Sequence, residues 1–231
     1  MSVLVVASEA FELAGLRSRL TGRELLPWPV RTAERGILGD TEYFMIANGP
    51  GPSLASAAAR EALARQPFHR VLSVGLCGGL HPQLPWNAIV VADSVRAPET
   101  GREFRVAEIR PRSPHQRGTV VSVDRIAQTP GEKSGLAIHG IAVEMEAAGV
   151  AAEAERAGIP FCCVKVVSDT AGEGFAIDFN AARDQSGRVL VSRILKQLLI
   201  KPQALGELIR LARRSRIASK TLGDFLADCR Y

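Results

Sequence analysis

Residues 141–169 read IAVEMEAAGVAAEAERAGIPFCCVKVVSD, and this stretch decides the fold class. A short β-type run, Ile141–Glu144, passes into an Ala-rich helical segment, Glu146–Ala157. That segment stops at Gly158, with Pro160 just beyond, as helices commonly do. A second apolar run, Phe161–Val167, follows and ends in Ser168 and Asp169. Working outward, the same alternation recurs along the chain. Further strands are predicted at 3–7, 43–47, 70–74, 88–95 and 119–123, and further helices at 11–20, 52–65, 130–138 and 187–199. Strands alternating with helices predict an α/β sheet.

Several of these strands end in Gly or small polar residues: Asn48-Gly49-Pro50-Gly51, Gly75-Leu76-Cys77-Gly78-Gly79 and Ser168-Asp169. In open α/β sheets ligands sit at the carboxyl ends of strands, although Gly after a strand also serves simply as a turn. The polar segment 98–117, with Pro at 98, 111 and 114, is expected to be a surface excursion or a lid.

The chain has 231 residues, 46% of them hydrophobic, enough for one sizeable core. Cys77, Cys162, Cys163 and Cys229 make no disulfide pattern, and no spacing suggests a metal; neither metal nor cofactor is expected. No basic leader precedes Val3–Ala7 and no run of 18 apolar residues occurs, so the expectation is a soluble, cytoplasmic protein. The net charge of +5 is unevenly placed, because residues 183–231 hold eleven Lys/Arg against four Asp/Glu. A near-neutral body with a basic tail argues against a nucleic-acid enzyme, whose basic surface would follow its cleft.

Three sets of carboxylates stand out. Asp169, at the lip of a buried strand, would lose hydration and become a usable proton donor, with Ser168 and Thr170 to orient it; capping the following turn is the alternative. Glu144 and Glu146 flank Met145 where strand passes into helix. They can grip a diol and favour positive charge on a sugar, or merely sit at a helix N-terminus. Glu12, just after the first strand, can take a proton from water or can be an exposed helix-face residue.

Together, segments 3–16, 48–52, 71–80, 143–150 and 164–171 resemble the purine nucleosidase and nucleoside phosphorylase superfamily, in its methylthioadenosine/S-adenosylhomocysteine nucleosidase-like branch. VEMEAAGVA and VKVVSDTA are the specific motifs. The resemblance implies a three-layer αβα sandwich with a mixed central sheet and a catalytic domain over residues 1–200. It implies Asp169 as the acid that protonates the purine at N7, with Ser168 beside it. It implies Glu146 on the ribose hydroxyls, Met145 against the sugar, Glu144 in the same pocket, and Glu12 as the base that activates water. Cys77 and Gly78 fall in the loop below the nucleoside. A homodimer acting on a small-molecule nucleoside is implied as well.

Phosphorolytic relatives bind phosphate through Arg near both glycine-rich segments. Here the N-terminal loop is acidic and Ser73 precedes Val74-Gly75, with Arg70 three residues earlier, so hydrolysis is expected. The sequence departs from the methylthioadenosine enzymes in having no aromatic in Ser122–Ala127 and in continuing past the usual last helix. Ser122–Lys133 and the tail are similar to the hopanoid-associated branch, implicated in releasing adenine from adenosylhopane. Residues 201–231 are expected to form a basic amphipathic helical extension that either lies on an anionic membrane or packs on the domain. Nucleic-acid binding is not expected, since no aromatic is interleaved with its Arg residues.

Overall fold

The computed structural model describes residues 1–184 and 187–230. The elements run β1 (Ser2–Ala7), α1 (Ala14–Arg17), β2 (Thr21–Leu25), β3 (Thr32–Leu38), β4 (Thr41–Ala47), α2 (Pro52–Leu63), β5 (Arg70–Gly79), β6 (Ile89–Ala97) and β7 (Arg102–Arg105). They continue with β8 (Gln116–Ser122), α3 (Pro130–Leu136), β9 (Ala142–Glu144), α4 (Ala147–Ala157), β10 (Phe161–Asp169), α5 (Val191–Ile200) and α6 (Ala204–Ala227).

One mixed sheet forms the middle layer. Its parallel centre, β4-β1-β5-β10, is buried on both faces, which is why these strands read as unbroken apolar runs. Ala-rich α2 and α4 cover one face; α1 and α6 cover the other. The expected three-layer αβα sandwich is therefore the architecture. Beyond β5 the sheet curls, because β10 pairs with both β5 and β6, and β8 and β9 link β6 back to β5.

Several boundaries move, each for a local reason. The helix expected at 11–20 shrinks to four residues. The backbone closes tighter turns on both sides of it, Glu12 N–H to the Glu9 carbonyl and Ala14 N–H to that of Phe11 before, Arg19 N–H to Leu16 and Leu20 N–H to Arg17 after. The hairpin β2–β3 had no clear signal, since β2 (TGREL) is exposed throughout and lacks an apolar face. Residues 75–79 continue β5 rather than forming a loop. The segment 98–117 is pinned to the body: β7 pairs with β6, buried Phe104 lies under Arg102, and Ile109 is buried. The helix expected at 187–199 starts later, as α5 at Val191, and the extension expected over 201–231 is α6.

The tail divides in two. From Ser215 onward α6 belongs to the core, with Ala218, Leu222, Phe225 and Leu226 packed beneath the sheet. Gly223 and Gly15 make this close crossing of α1 and α6 possible: a Cβ on Gly15 would lie 2.1 Å from the Ser219 carbonyl oxygen. Upstream of Ser215 the tail is largely exposed. Among the described residues no helix is long and apolar enough to cross a membrane.

Candidate active site

At the carboxyl ends of β1, β5 and β10, where β9 turns into α4, lies a cavity of about 310 Å³. Glu12, Cys77, Gly78, Glu144, Met145, Glu146, Ser168 and Asp169 all line it, whereas Thr170, expected to orient Asp169, does not and turns its hydroxyl to Glu173 at 3.2 Å.

Asp169 ends β10 and is 7% exposed. Its Oδ1 lies 2.5 Å from Ser168 Oγ, which is also 3.1 Å from the Cys77 carbonyl oxygen. Its Oδ2 accepts a hydrogen bond from Lys133 Nζ, forming a buried ion pair. Lys133 comes from α3, a short helix started by a capping box in which Thr129 and Glu132 satisfy each other's backbone. The Lys133 ammonium also donates to the carbonyls of Thr170 (2.7 Å) and Glu173 (2.8 Å), fixing the turn after β10. Gly78 leaves room for this arrangement, since a Cβ there would stand 3.1 Å from Asp169 Oδ2.

Glu12 is not an exposed helix-face residue. It is 6% exposed and held by three backbone donors: Ser8 and Glu9 at 2.9 Å, and Leu76 at 2.8 Å. Burial raises its pKa above the usual carboxylate value, outweighing those donors and the charge of Lys165. Gly75 permits the contact: its φ of +135° suits glycine, and a Cβ there would meet Glu12 Oε1 at 2.7 Å.

Glu144 and Glu146 do different work although both reach the cavity. Glu144 caps α4, accepting from the N–H groups of Glu146 (2.9 Å) and Ala147 (2.9 and 3.1 Å), and pairs with Lys165 Nζ at 2.7 Å. Glu146 accepts from Gly51 N–H at 3.0 Å across the cavity. Burial, then the neighbouring Glu144 charge, pushes its pKa up to about 8. Lys165, wholly buried on β10, also donates to Ser73 Oγ (3.1 Å) and the Val74 carbonyl (3.3 Å). Burial works against its charge, but Glu144, Cys163 and Glu146 together raise its pKa. One cation thus sits beneath three acidic groups. Burial pushes the Cys77 thiol well above its ordinary pKa, so it is a packing group and not a nucleophile.

Sequence reasoning missed Lys133 and Lys165. A charge inside a strand buried on both faces was the available signal for Lys165, because such a charge requires a partner. Lys133, on a short polar segment, gave none. The aromatic character absent from residues 122–127 comes from a later segment: Phe175 and Phe179 line the cavity edge-to-face, ring centroids 5.5 Å apart. Leu211 and Ser215 of α6 complete the wall. Arg125 is the one basic residue among those lining the cavity, and it is paired with Glu132. Arg70 instead bonds the Glu108 carbonyl and Cys162.

The 5′-methylthioadenosine/S-adenosylhomocysteine nucleosidase of Bacillus cytotoxicus is 23% identical over 229 residues, covering 86% of this chain and 98% of its own. The futalosine hydrolase of Streptomyces coelicolor is 28% identical over 160 residues, covering 56% of this chain and 68% of its own. Among solved structures, the futalosine hydrolase of Helicobacter pylori superposes with a TM-score of 0.75 at 16% identity, covering 99% of this chain and 96% of that one. The Neisseria meningitidis 5′-methylthioadenosine/S-adenosylhomocysteine nucleosidase complexed with methylthio-immucillin-A gives 0.74 at 18% identity, covering 98% and 97%. The two superpositions show a shared fold. The phosphorylase superfamily pattern matches residues 2–114 and 99–200. By that match, which spans most of the sequence, the chain belongs to the phosphorylase superfamily.

Proposed function

We propose that this chain is a purine nucleosidase that hydrolyses the N-glycosidic bond of a 5′-substituted adenosine and releases adenine. The observation that carries the reading is the convergence of Glu12, Glu146 and Asp169, from three distant segments, on one cavity. Curated relatives named as nucleosidases and a futalosine hydrolase support the hydrolytic class.

Each carboxyl has a task in such a reaction. The departing base must not leave as an anion, so a proton of the Lys133–Asp169 ion pair passes through the Asp169 carboxyl to N7, leaving Lys133 neutral, while Ser168 fixes the carboxyl's orientation. As the C1′–N9 bond breaks, positive charge builds on the ribose, and the acidic floor beneath it favours that state. Glu146 holds the ribose hydroxyls and Met145 packs against the sugar. Glu12 takes a proton from water as its oxygen bonds C1′; its raised pKa makes it a stronger acceptor than an exposed carboxylate. The one Arg among the residues lining the cavity is paired with Glu132, so water is the favoured nucleophile.

The apolar wall of Phe11, Phe175, Phe179 and Leu211 suits an apolar 5′ substituent. Methylthioadenosine and adenosylhopane carry such a substituent, the latter favoured by the similarity of residues 122–133 to the hopanoid-associated branch, while S-adenosylhomocysteine, whose 5′ group is zwitterionic, is the candidate this wall suits least. A homodimer remains part of the reading. Incubation with methylthioadenosine, S-adenosylhomocysteine and 5′-deoxyadenosine, followed by chromatography for adenine and sugar, tests it. Free adenine and free sugar are expected without phosphate. A sugar 1-phosphate formed only with phosphate would make the enzyme a phosphorylase, and binding without turnover would make it a nucleoside-binding protein.

A further inference from the structure

Of the twelve large apolar side chains left exposed among the described residues, six lie within the short span from Val191 to Ile209. Single exposed apolar residues are ordinary, but a concentration of them marks a surface that something covers. Leu199 and Ile200 are the barest, at 85% and 80% exposure.

The way α5 is fastened shows which side is free. Gln197 holds the backbone of Asp178, accepting its N–H at 2.7 Å and donating to its carbonyl at 2.8 Å. Arg193, one turn earlier, donates to the carbonyls of Ala181 (3.3 Å) and Arg183 (2.5 Å). Val191, Leu195 and Leu199 repeat every fourth residue and stand about 200° around the helix from that pair. No residue of α5 is buried. Ile194, Gln197 and Leu198 are the half-buried residues of α5, so the helix rests on that side and turns Val191, Leu195, Leu199 and Ile200 outward. Leu205 and Ile209 carry exposed apolar surface on into α6.

Charge identifies the occupant. Residues 191–215 contain six Lys/Arg, of which Arg214 is paired with Glu173, and one acidic residue, Glu207, whose carboxylate is engaged by Ala176 N–H at 2.9 Å. A second copy of the chain docking through the same face would set like charges against each other. An anionic bilayer satisfies both features: acyl chains take the leucines and lipid headgroups take the cations. We infer that α5 and the first half of α6 form a docking surface for an anionic membrane, with α5 lying in the plane of the interface.

This surface is joined to the cavity. Lys201 bonds the Ala176 carbonyl at 3.2 Å, Glu207 bonds the Ala176 N–H, and Gln197 holds Asp178, so the α5–α6 corner clasps the segment that carries Phe175 and Phe179. Docking would place that segment beside the lipid. Only this last step rests on the proposed nucleosidase reading; the docking surface does not.

Co-sedimentation of the full chain with phosphatidylglycerol/phosphatidylcholine vesicles and with pure phosphatidylcholine vesicles tests the inference without reference to catalysis. Binding is expected to the anionic vesicles only, weakening as salt is raised. Arg210→Gln combined with Arg213→Gln should weaken it about fivefold per charge removed. The Leu195→Glu/Leu199→Glu variant, whose sites are exposed, should abolish binding while melting as the wild type does. No binding to anionic vesicles, or unchanged binding by the Leu195→Glu/Leu199→Glu variant, would overturn the inference. So would a dimer that this variant dissociates.

Discussion

Glu146→Gln keeps the shape of a buried side chain and its acceptor for Gly51 N–H while removing an ionisable group. Because burial and Glu144 lift the Glu146 pKa from 4.5 to about 8, the native protein holds a proton there over a range where the unfolded chain has lost it. For a carboxyl shifted upward, the sign is opposite to that of a salt-bridged one. The stabilisation is complete below the unfolded value and is lost as pH rises through the folded one. The slope is about 1.4 kcal/mol per pH unit, so wild type should lose ~3 kcal/mol between pH 5.5 and 7.5 from this group alone. At roughly 2–4 °C per kcal/mol for a chain of this size, that is a melting difference of about 6–12 °C. Thermal melts followed by circular dichroism at both pH values, on wild type and variant, isolate the effect, since every other group titrates in both. The Gln variant should gain on wild type by that amount at the higher pH. Parallel profiles would show that Glu146 is not a buried carboxyl crowded by Glu144.

Other substitutions probe the remaining parts of the site. Asp169→Asn should lower kcat/KM for adenine release by roughly 10²–10⁴ and, because it leaves the buried Lys133 ammonium without its carboxylate, should also cost about 3–5 kcal/mol of stability; a wild-type rate would remove Asp169 from the mechanism. Lys165→Met leaves Glu144 buried without its ion-pair partner and should cost about 3–5 kcal/mol in urea denaturation, whereas a loss below about 1 kcal/mol would mean the pair is not truly buried. Gly75→Ala puts a Cβ against Glu12 Oε1 at a positive φ, so it should destabilise by at least ~1 kcal/mol and lower activity; a fully active, equally stable variant would contradict the placement of Glu12.

The central sheet was legible because parallel strands buried on both faces leave unbroken apolar runs, as in Val3–Ala7 and Phe161–Val167. The site was legible wherever a carboxylate followed such a run, and eight of the expected residues meet at one cavity. Tertiary contacts decided the rest. Glu12 is folded inward onto the N–H groups of Ser8, Glu9 and Leu76, which no periodicity announces. Exposed β2 has no apolar face to read. Lys133 reaches Asp169 from a helix 36 residues away in sequence. The tail showed apolar and basic residues mixed, but not that its last third would pack beneath the sheet while its beginning stayed bare.

Where a nucleoside sits decides the role of each carboxyl. A crystal structure of Asp169→Asn with uncleaved 5′-methylthioadenosine measures that directly. The purine N7 is expected within hydrogen-bond distance of residue 169, the ribose hydroxyls at Glu146, and a water between Glu12 and C1′. A nucleoside bound outside this cavity, or turned so that its ribose lies away from Glu12 and Glu146, would contradict the account.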